Sequence, residues 1–308
     1  MASPAILVLG SVNTDLVVRG PRLPAPGETV LGGHFYQAHG GKGANQAVAA
    51  ARAAALPVTF VAAIGDDPFG RQALDHFRGE ALDCRFIKTV PGEPTGVALI
   101  LVDARGENLI SVASGANLHL TASDVDSVPD EVFGEAKVLL TCLESPLETV
   151  ARGLVRAQSA GLTTILNPAP AHEDLAGADL LRYVDILTPN EGEAAALTGV
   201  PPGDSSGPEI AARRLQQMGC RNCVVTLGPR GCLVVSQEAV TVESHPVDAV
   251  DTTAAGDAFN GALAVAIAEG RTLLEATRWA TRAAAIAVTR RGAQPSLPTR
   301  AEIDAFSP

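Results

Sequence analysis

Short apolar runs alternate along the chain with longer stretches whose apolar positions recur at helical spacing. The runs at 5–9, 58–63, 137–142, 163–166, 184–187, 222–227 and 232–236 read as strands. The periodic stretches at 43–54, 69–80, 147–160, 190–198, 208–218, 255–269 and 273–288 read as helices. Strand and helix in alternation predict an α/β fold: a doubly wound, mostly parallel sheet with helices on both faces. In such sheets ligands lie beyond the carboxyl ends of the strands. Two stretches, 14–38 and 95–113, hold strand-like segments without intervening helices, including Leu16-Val17-Val18 and Val97 to Val102 before the turn Asp103-Ala104-Arg105-Gly106. They predict a small antiparallel sheet. Because it arrives in two pieces, it is expected to be a flap on a single domain spanning 1–308. Gly203 to Pro208 reads as a polar surface connection.

Composition narrows the classes of function. Hydrophobic residues are 46% of the 308 residues, enough for a sizeable core. Formal net charge is −11, which argues against a nucleic-acid or anionic-membrane partner. A polyanionic ligand would have to be held by local dipoles and a few placed cations. Met1 to Gly10 has no positive n-region, and the apolar run Ala262 to Ala268 is far short of a membrane span. A cytoplasmic location is the expectation. The cysteines at 84, 142, 220, 223 and 232 are odd in number, which speaks against a disulfide framework. Cys220 and Cys223 have CxxC spacing but run into a strand and lack a second ligand pair, so reduced thiols are expected.

Several segments can carry chemistry. Asp251-Thr252-Thr253-Ala254-Ala255-Gly256-Asp257 puts small residues and a carboxylate at a helix start. Free amides there stabilise an anion, and an adjacent carboxylate can take a hydroxyl proton, as phosphoryl transfer to an alcohol requires. An ordinary N-cap aspartate is the competing reading. Gly40-Gly41-Lys42-Gly43-Ala44-Asn45-Gln46 superficially resembles a phosphate loop but lacks Ser or Thr after the lysine, and a glycine turn capping a helix competes. Asn13-Thr14-Asp15 follows the first strand at a ligand-facing position, or forms an Asx turn. Asn190 and Glu193 share a helix face and could organise hydrated magnesium, or form a capping box. Thr226-Leu227-Gly228-Pro229-Arg230-Gly231 suits a nucleotide edge or merely a hairpin.

In their joint order these segments resemble the ribokinase, or PfkB, family of carbohydrate kinases over essentially the whole chain. Gly40 to Gln46 is similar to its N-terminal signature and Asp251 to Asp257 to its C-terminal DTxAGD signature. Leu143-Glu144-Ser145-Pro146, Asn167-Pro168-Ala169-Pro170-Ala171 and Arg291-Gly292-Ala293-Gln294-Pro295-Ser296 narrow the likeness to the branch that phosphorylates D-ribose. The resemblance implies a Rossmann-like fold with a β lid that covers the sugar and often makes a homodimer. It implies ATP, Mg2+ and K+, with D-ribose as the acceptor. Asp257 matches the catalytic base, and Ala254, Ala255 and Gly256 match an anion hole. Asn13, Thr14, Asp15, Gly41, Lys42, Gly43, Ala44, Asn45 and Glu144 match the sugar site. Asn190, Thr226, Leu227, Gly228, Pro229, Arg230, Gly231, Gly256 and Thr281 match the nucleotide site, although Pro229 donates no N–H. Glu193 matches a magnesium position acting through water. Asp251, Thr253, Ala287, Arg290, Gly292 and Ser296 match a potassium site built largely from carbonyls. Fructokinase or 2-keto-3-deoxygluconate kinase activity and a non-catalytic sugar sensor are the alternatives. A nicotinamide-dependent dehydrogenase is disfavoured because Gly10-Ser11-Val12-Asn13 lacks GxGxxG spacing.

Overall fold

The computed structural model describes residues 5–176, 179–201 and 206–307. Residues 203–205 of the expected polar loop lie outside them. Strands are numbered in chain order. The larger sheet contains β1 (Ala5–Leu9), β4 (Val58–Gly65), β5 (Asp83–Val90), β8 (Ala136–Cys142) and β9 (Thr163–Asn167). It continues through β10 (Ile186–Leu187), β11 (Asn222–Thr226), β12 (Cys232–Val235) and β13 (Ala239–Val242). Its order is β13-β12-β11-β10-β9-β8-β1-β4-β5, parallel except where β12 pairs with β11 and β13. The helices are α1 (Lys42–Ala53), α2 (Pro68–Gly79), α3 (Ala122–Ser127), α4 (Asp130–Glu135), α5 (Leu147–Ser159), α6 (Glu191–Thr198), α7 (Gly207–Gln217), α8 (Ala255–Ala268), α9 (Leu273–Val288) and α10 (Arg300–Ala305).

The central strand β1 is apolar throughout and its neighbours β4 and β8 largely so, because both faces of the sheet are covered. Along β1, Ile6 and Val8 join one core with Ala47 of α1, Leu263 of α8 and Ala280 of α9. Leu7 and Leu9 join the opposite core with Leu154 of α5, Leu197 of α6 and Leu215 of α7. The period-two alternation of a strand thus divides one apolar run between two cores. The expected strand at 184–187 is reduced to Ile186–Leu187, because the Val184 amide closes a turn on the Leu181 carbonyl at 3.0 Å. All five cysteines are free, and burial pushes the Cys220 and Cys232 thiols up to about 12. The CxxC pair is therefore packing, as its strand context implied.

The smaller sheet joins the two interrupting stretches: β2 (Asn13–Arg19), β3 (His34–Gly40), β6 (Gly96–Val102) and β7 (Asn108–Ala113), in the order β3-β2-β6-β7. Its outer pairings are antiparallel, as expected. The central pairing of β2 with β6 is parallel. β2 follows β1 and β6 follows β5, which point the same way in the large sheet, so the two chains leave its carboxyl edge in one direction.

Candidate active site

From β1 the chain builds outward through β4 and β5, then returns to build the other half from β8 through β11. The reversal falls between β1 and β8, and it opens a crevice at their carboxyl ends. The crevice is bridged at its floor: Ser11 Oγ donates to Glu144 Oε2 at 2.6 Å, and the Lys42 amide donates to the same oxygen at 2.9 Å. α1 can start this close to the β1–β2 connection only on glycine. Gly41 has φ +89°, and a Cβ on Gly43 would lie 2.3 Å from the Ser11 nitrogen. Ala44 is buried in the same corner, its amide donating to the Ser11 carbonyl at 2.8 Å. Thr14 is buried beside Asn13, whose Oδ1 accepts from Asn117 Nδ2 at 2.8 Å.

Asp15, Glu144 and Asp257 concentrate negative charge here, with Lys42 among them. Burial raises the Asp15 carboxyl to about 7, reinforced by Glu144 and Asp257. Burial pulls the Lys42 ammonium down, but Asp257 and Glu144 outweigh it and leave its pKa above the ordinary value. Asp257 stands in the first turn of α8 and is 6% exposed. Its Oδ2 accepts from Asn45 Nδ2 at 3.0 Å and its Oδ1 from Gln46 Nε2 at 3.1 Å. Both amides come from α1, so two helices hold one carboxylate. Before it, Ala254 takes a left-handed conformation, φ 59°, that non-glycine residues adopt at a cost of about 1–2 kcal/mol. The first helical bond of α8 runs from the Ala258 amide to the Ala254 carbonyl, and the Ala255 amide donates to the Thr252 carbonyl at 3.3 Å, so the amides of Gly256 and Asp257 precede the ladder at the positive end of the helix.

A cleft of about 230 Å³ brings Lys42, Asn190, Glu193, Thr226, Ala254, Ala255, Gly256 and Asp257 together. Asn190 and Glu193 form a reciprocal capping box at α6: each side chain accepts from the other's amide at 2.8 Å. One oxygen of each is committed by this bond. Burial raises the Glu193 carboxyl, partly offset by its bond from Asn190. The turn after β11 runs through Leu227 to Gly231, closed by the Leu227 amide on the Gly231 carbonyl at 2.8 Å. Pro229 sits inside it, and Arg230 pairs with Glu191 at the start of α6. Thr281 is buried on α9 and spends its hydroxyl on the Arg278 carbonyl. Asp251 accepts from Thr253 and from the Gly292 amide at 2.9 Å, drawing the loop before α8 to the segment after α9. At the end of α9 the Ala287 carbonyl accepts from the Arg290 amide; beyond it Arg290 pairs with Glu302, and Ser296 Oγ donates to the Ala293 carbonyl.

The cleft also contains residues with no role assigned from spacing or resemblance: Asn167, Ala169, Thr188, Thr252 and Asn260. Asn167 and Ala169 stand in a segment that the sequence singles out, and Asn260 lies one turn beyond Asp257. Ser11, Gln46 and Asn117 act on the site through partners distant in the chain, a relation that spacing alone does not disclose.

Residues 3–300 match the model of the pfkB family carbohydrate kinases. A ribokinase of Haemophilus influenzae is 42% identical over 298 residues, 96% of each chain. The structure of a ribokinase from Giardia lamblia superposes with a TM-score of 0.90 at 33% identity, covering 98% of both chains. That of an Arabidopsis thaliana ribokinase complexed with ribose and ATP does so with a TM-score of 0.87 at 32% identity, covering 100% of both. A match of this length in family, sequence and fold makes the chain a member of the pfkB family of carbohydrate kinases.

Proposed function

We propose that this chain transfers the γ-phosphoryl group of ATP to the 5-hydroxyl of D-ribose, giving D-ribose 5-phosphate and ADP. The observation that carries the reading is Asp257, a buried carboxylate held by Asn45 and Gln46 at the start of α8 inside the cleft. The relative complexed with ribose and ATP supports the same pair of substrates. Asp257 takes the proton of the 5-hydroxyl as its oxygen bonds to the γ-phosphorus. The bond from that phosphorus to the β–γ bridging oxygen breaks, and ADP leaves. The turn Ala254-Ala255-Gly256 forms the anion hole, where amides at the helix start meet the charge on the transferred group. Asn13, Asp15, Gly41, Lys42, Asn45 and Glu144 hold the sugar hydroxyls. Asn190, Thr226 and the Leu227–Gly231 turn hold the nucleotide, with Arg230 and Pro229 shaping the turn and Thr281 contributing to the wall behind it.

Among the described residues no cluster of three His, Cys, Asp or Glu could hold a metal ion. A magnesium ion would therefore be held through water by Glu193, whose second carboxylate oxygen is free of the capping bond, and by the phosphates themselves. Bound there, it neutralises phosphate charge. The resemblance puts potassium in the 251–296 region, where Asp251 draws the loop before α8 to the segment after α9 and carbonyls would supply most of the donors. The small sheet is the lid of this single domain and the surface of a homodimer. No helix among the described residues is long and apolar enough to cross a membrane, and the cytoplasm is the proposed compartment.

The test is ADP release with D-ribose, 2-deoxy-D-ribose, D-fructose and adenosine as acceptors, in potassium and in sodium at equal ionic strength. Ribose gives the highest kcat/KM, and potassium raises the rate. A higher kcat/KM for fructose or adenosine removes the ribose assignment. Equal rates in both salts remove the potassium site.

A further inference from the structure

Gln46 is completely buried on α1, and its surroundings fix the direction of every hydrogen bond it makes. The backbone carbonyl of Thr188 can only accept. Asn167 Nδ2 donates to it at 3.0 Å, which turns Asn167 Oδ1 toward Gln46. That oxygen accepts from Gln46 Nε2 at 3.0 Å, and the same nitrogen donates to Asp257 Oδ1 at 3.1 Å. The reverse orientation would set Gln46 Oε1 against two acceptors. Oε1 is left instead as a buried oxygen with no partner among the described residues. An unpaired buried acceptor is costly, and this chain tolerates it while keeping both hydrogens of the amide engaged.

The other oxygen of Asp257 is wired in the same sense. Asn45 Nδ2 donates to Oδ2, and Asn45 Oδ1 accepts from Gln294 Nε2 at 3.2 Å. Each carboxylate oxygen thus receives one donor from α1. We propose that Gln46 is a positioning residue for phosphoryl transfer: latched by Asn167 and Thr188, it fixes the plane of the Asp257 carboxylate and keeps its Oδ1 an acceptor, ready for the sugar proton. The proposal rests on the reading of Asp257 as the base.

The experiment measures pH profiles of kcat, and KM for ribose and ATP, in Gln46→Met, Gln46→Glu, Asn167→Leu, the double variant Gln46→Met/Asn167→Leu, and Asp257→Asn. Gln46→Met lowers kcat about tenfold or more, short of the roughly hundredfold or greater loss that removing the acid–base group itself brings, with both KM values little changed. Its acid limb moves to higher pH, because the carboxylate has lost a donor. Gln46→Glu, nearly identical in volume, moves the limb further, because two acids then share a proton. Asn167→Leu shifts the limb the same way, and the double variant is less impaired than the two single losses multiplied, because they break one latch. Wild-type acid limbs in both Gln46 variants, or losses confined to KM, overturn the proposal. If Gln46→Met does not fold, Gln46→Glu alone decides. If Asp257→Asn retains full kcat, the base reading itself has failed. If it is inactive while the Gln46 variants keep wild-type profiles, only the role of Gln46 has failed.

Discussion

Asp257 has no side-chain cation bonded to it among the described residues; neutral amides from α1 hold it, and Lys42 acts only as nearby charge. Asp257→Asn keeps the volume but removes the basic oxygen, so kcat should fall by about a hundredfold to ten-thousandfold while substrate binding persists. Steady-state kinetics with calorimetric binding checks this, and a variant with more than about a third of wild-type kcat would contradict it. Asp15 gives a prediction in pH. Its carboxyl is raised to about 7 in the ligand-free fold, from 3.8. The folded state therefore holds a proton between those values that the unfolded state has released. Stability from this residue is present at low pH and is lost as pH rises toward about 7. Asp15→Asn removes that slope. Melting temperatures of the two proteins from pH 4 to 8 test it, and a constant difference between them would refute it. At this scale the sequence disclosed Asp257, Lys42, Asn190 and Glu193, which stand in segments with fixed spacing. It gave no role to Gln46 or Asn167, because the function of a neutral amide depends on what lies opposite it.

Helices α1 and α8 meet backbone to backbone. A Cβ on Gly261 would lie 2.5 Å from the Ala49 Cβ and 2.7 Å from the Ala50 nitrogen. The alanine-rich composition has its use here, since small side chains let α1 bring Asn45 and Gln46 within reach of a residue on α8. Gly261→Val should push the helices apart, cost about 1–3 kcal/mol of stability, and lower kcat at unchanged substrate contacts. Denaturant unfolding and kinetics on the same preparation measure both. Loss of stability at wild-type kcat would separate the packing from the site. The elements missed by periodicity fall into two kinds, edge strands and short helices. β5 and β13 are the two edges of the large sheet, and each has a mixed pattern because an edge strand is less enclosed than a central one. α3, α4 and α10 have six residues each, too few to display a helical repeat. The buried strands and the long helices were legible because each has a full apolar run or stripe.

On the whole molecule, the small sheet carries exposed apolar side chains. Asp15 and the buried Val17 lie on the face toward the crevice, which farther out on β7 exposes Ile110 and Val112. Val18, Phe35, Leu99 and Leu109 lie on the other, and the last three are each more than half exposed, at 59%, 55% and 52% respectively. Such a patch on a small sheet is what the proposed homodimer would cover, closed two-fold pairing being the commonest way for a chain to cover one. Light scattering should give a dimer, and Leu99→Lys should yield a monomer at micromolar concentration; a fully active wild-type monomer would defeat the dimer reading. The parallel pairing of β2 with β6 has a different consequence, one in time. Asn13 can align with Gly96 only after β4, α2 and β5 have been laid down between them. The small sheet therefore closes a long loop, though β1 with β8 closes a longer one, and its half-exposed strands gain little apolar burial for it, so it is expected to gain order late in refolding. Pulsed hydrogen exchange should protect the amides of Val8 and Val61 before those of Val17 and Ile100, and simultaneous protection would count against that sequence of events.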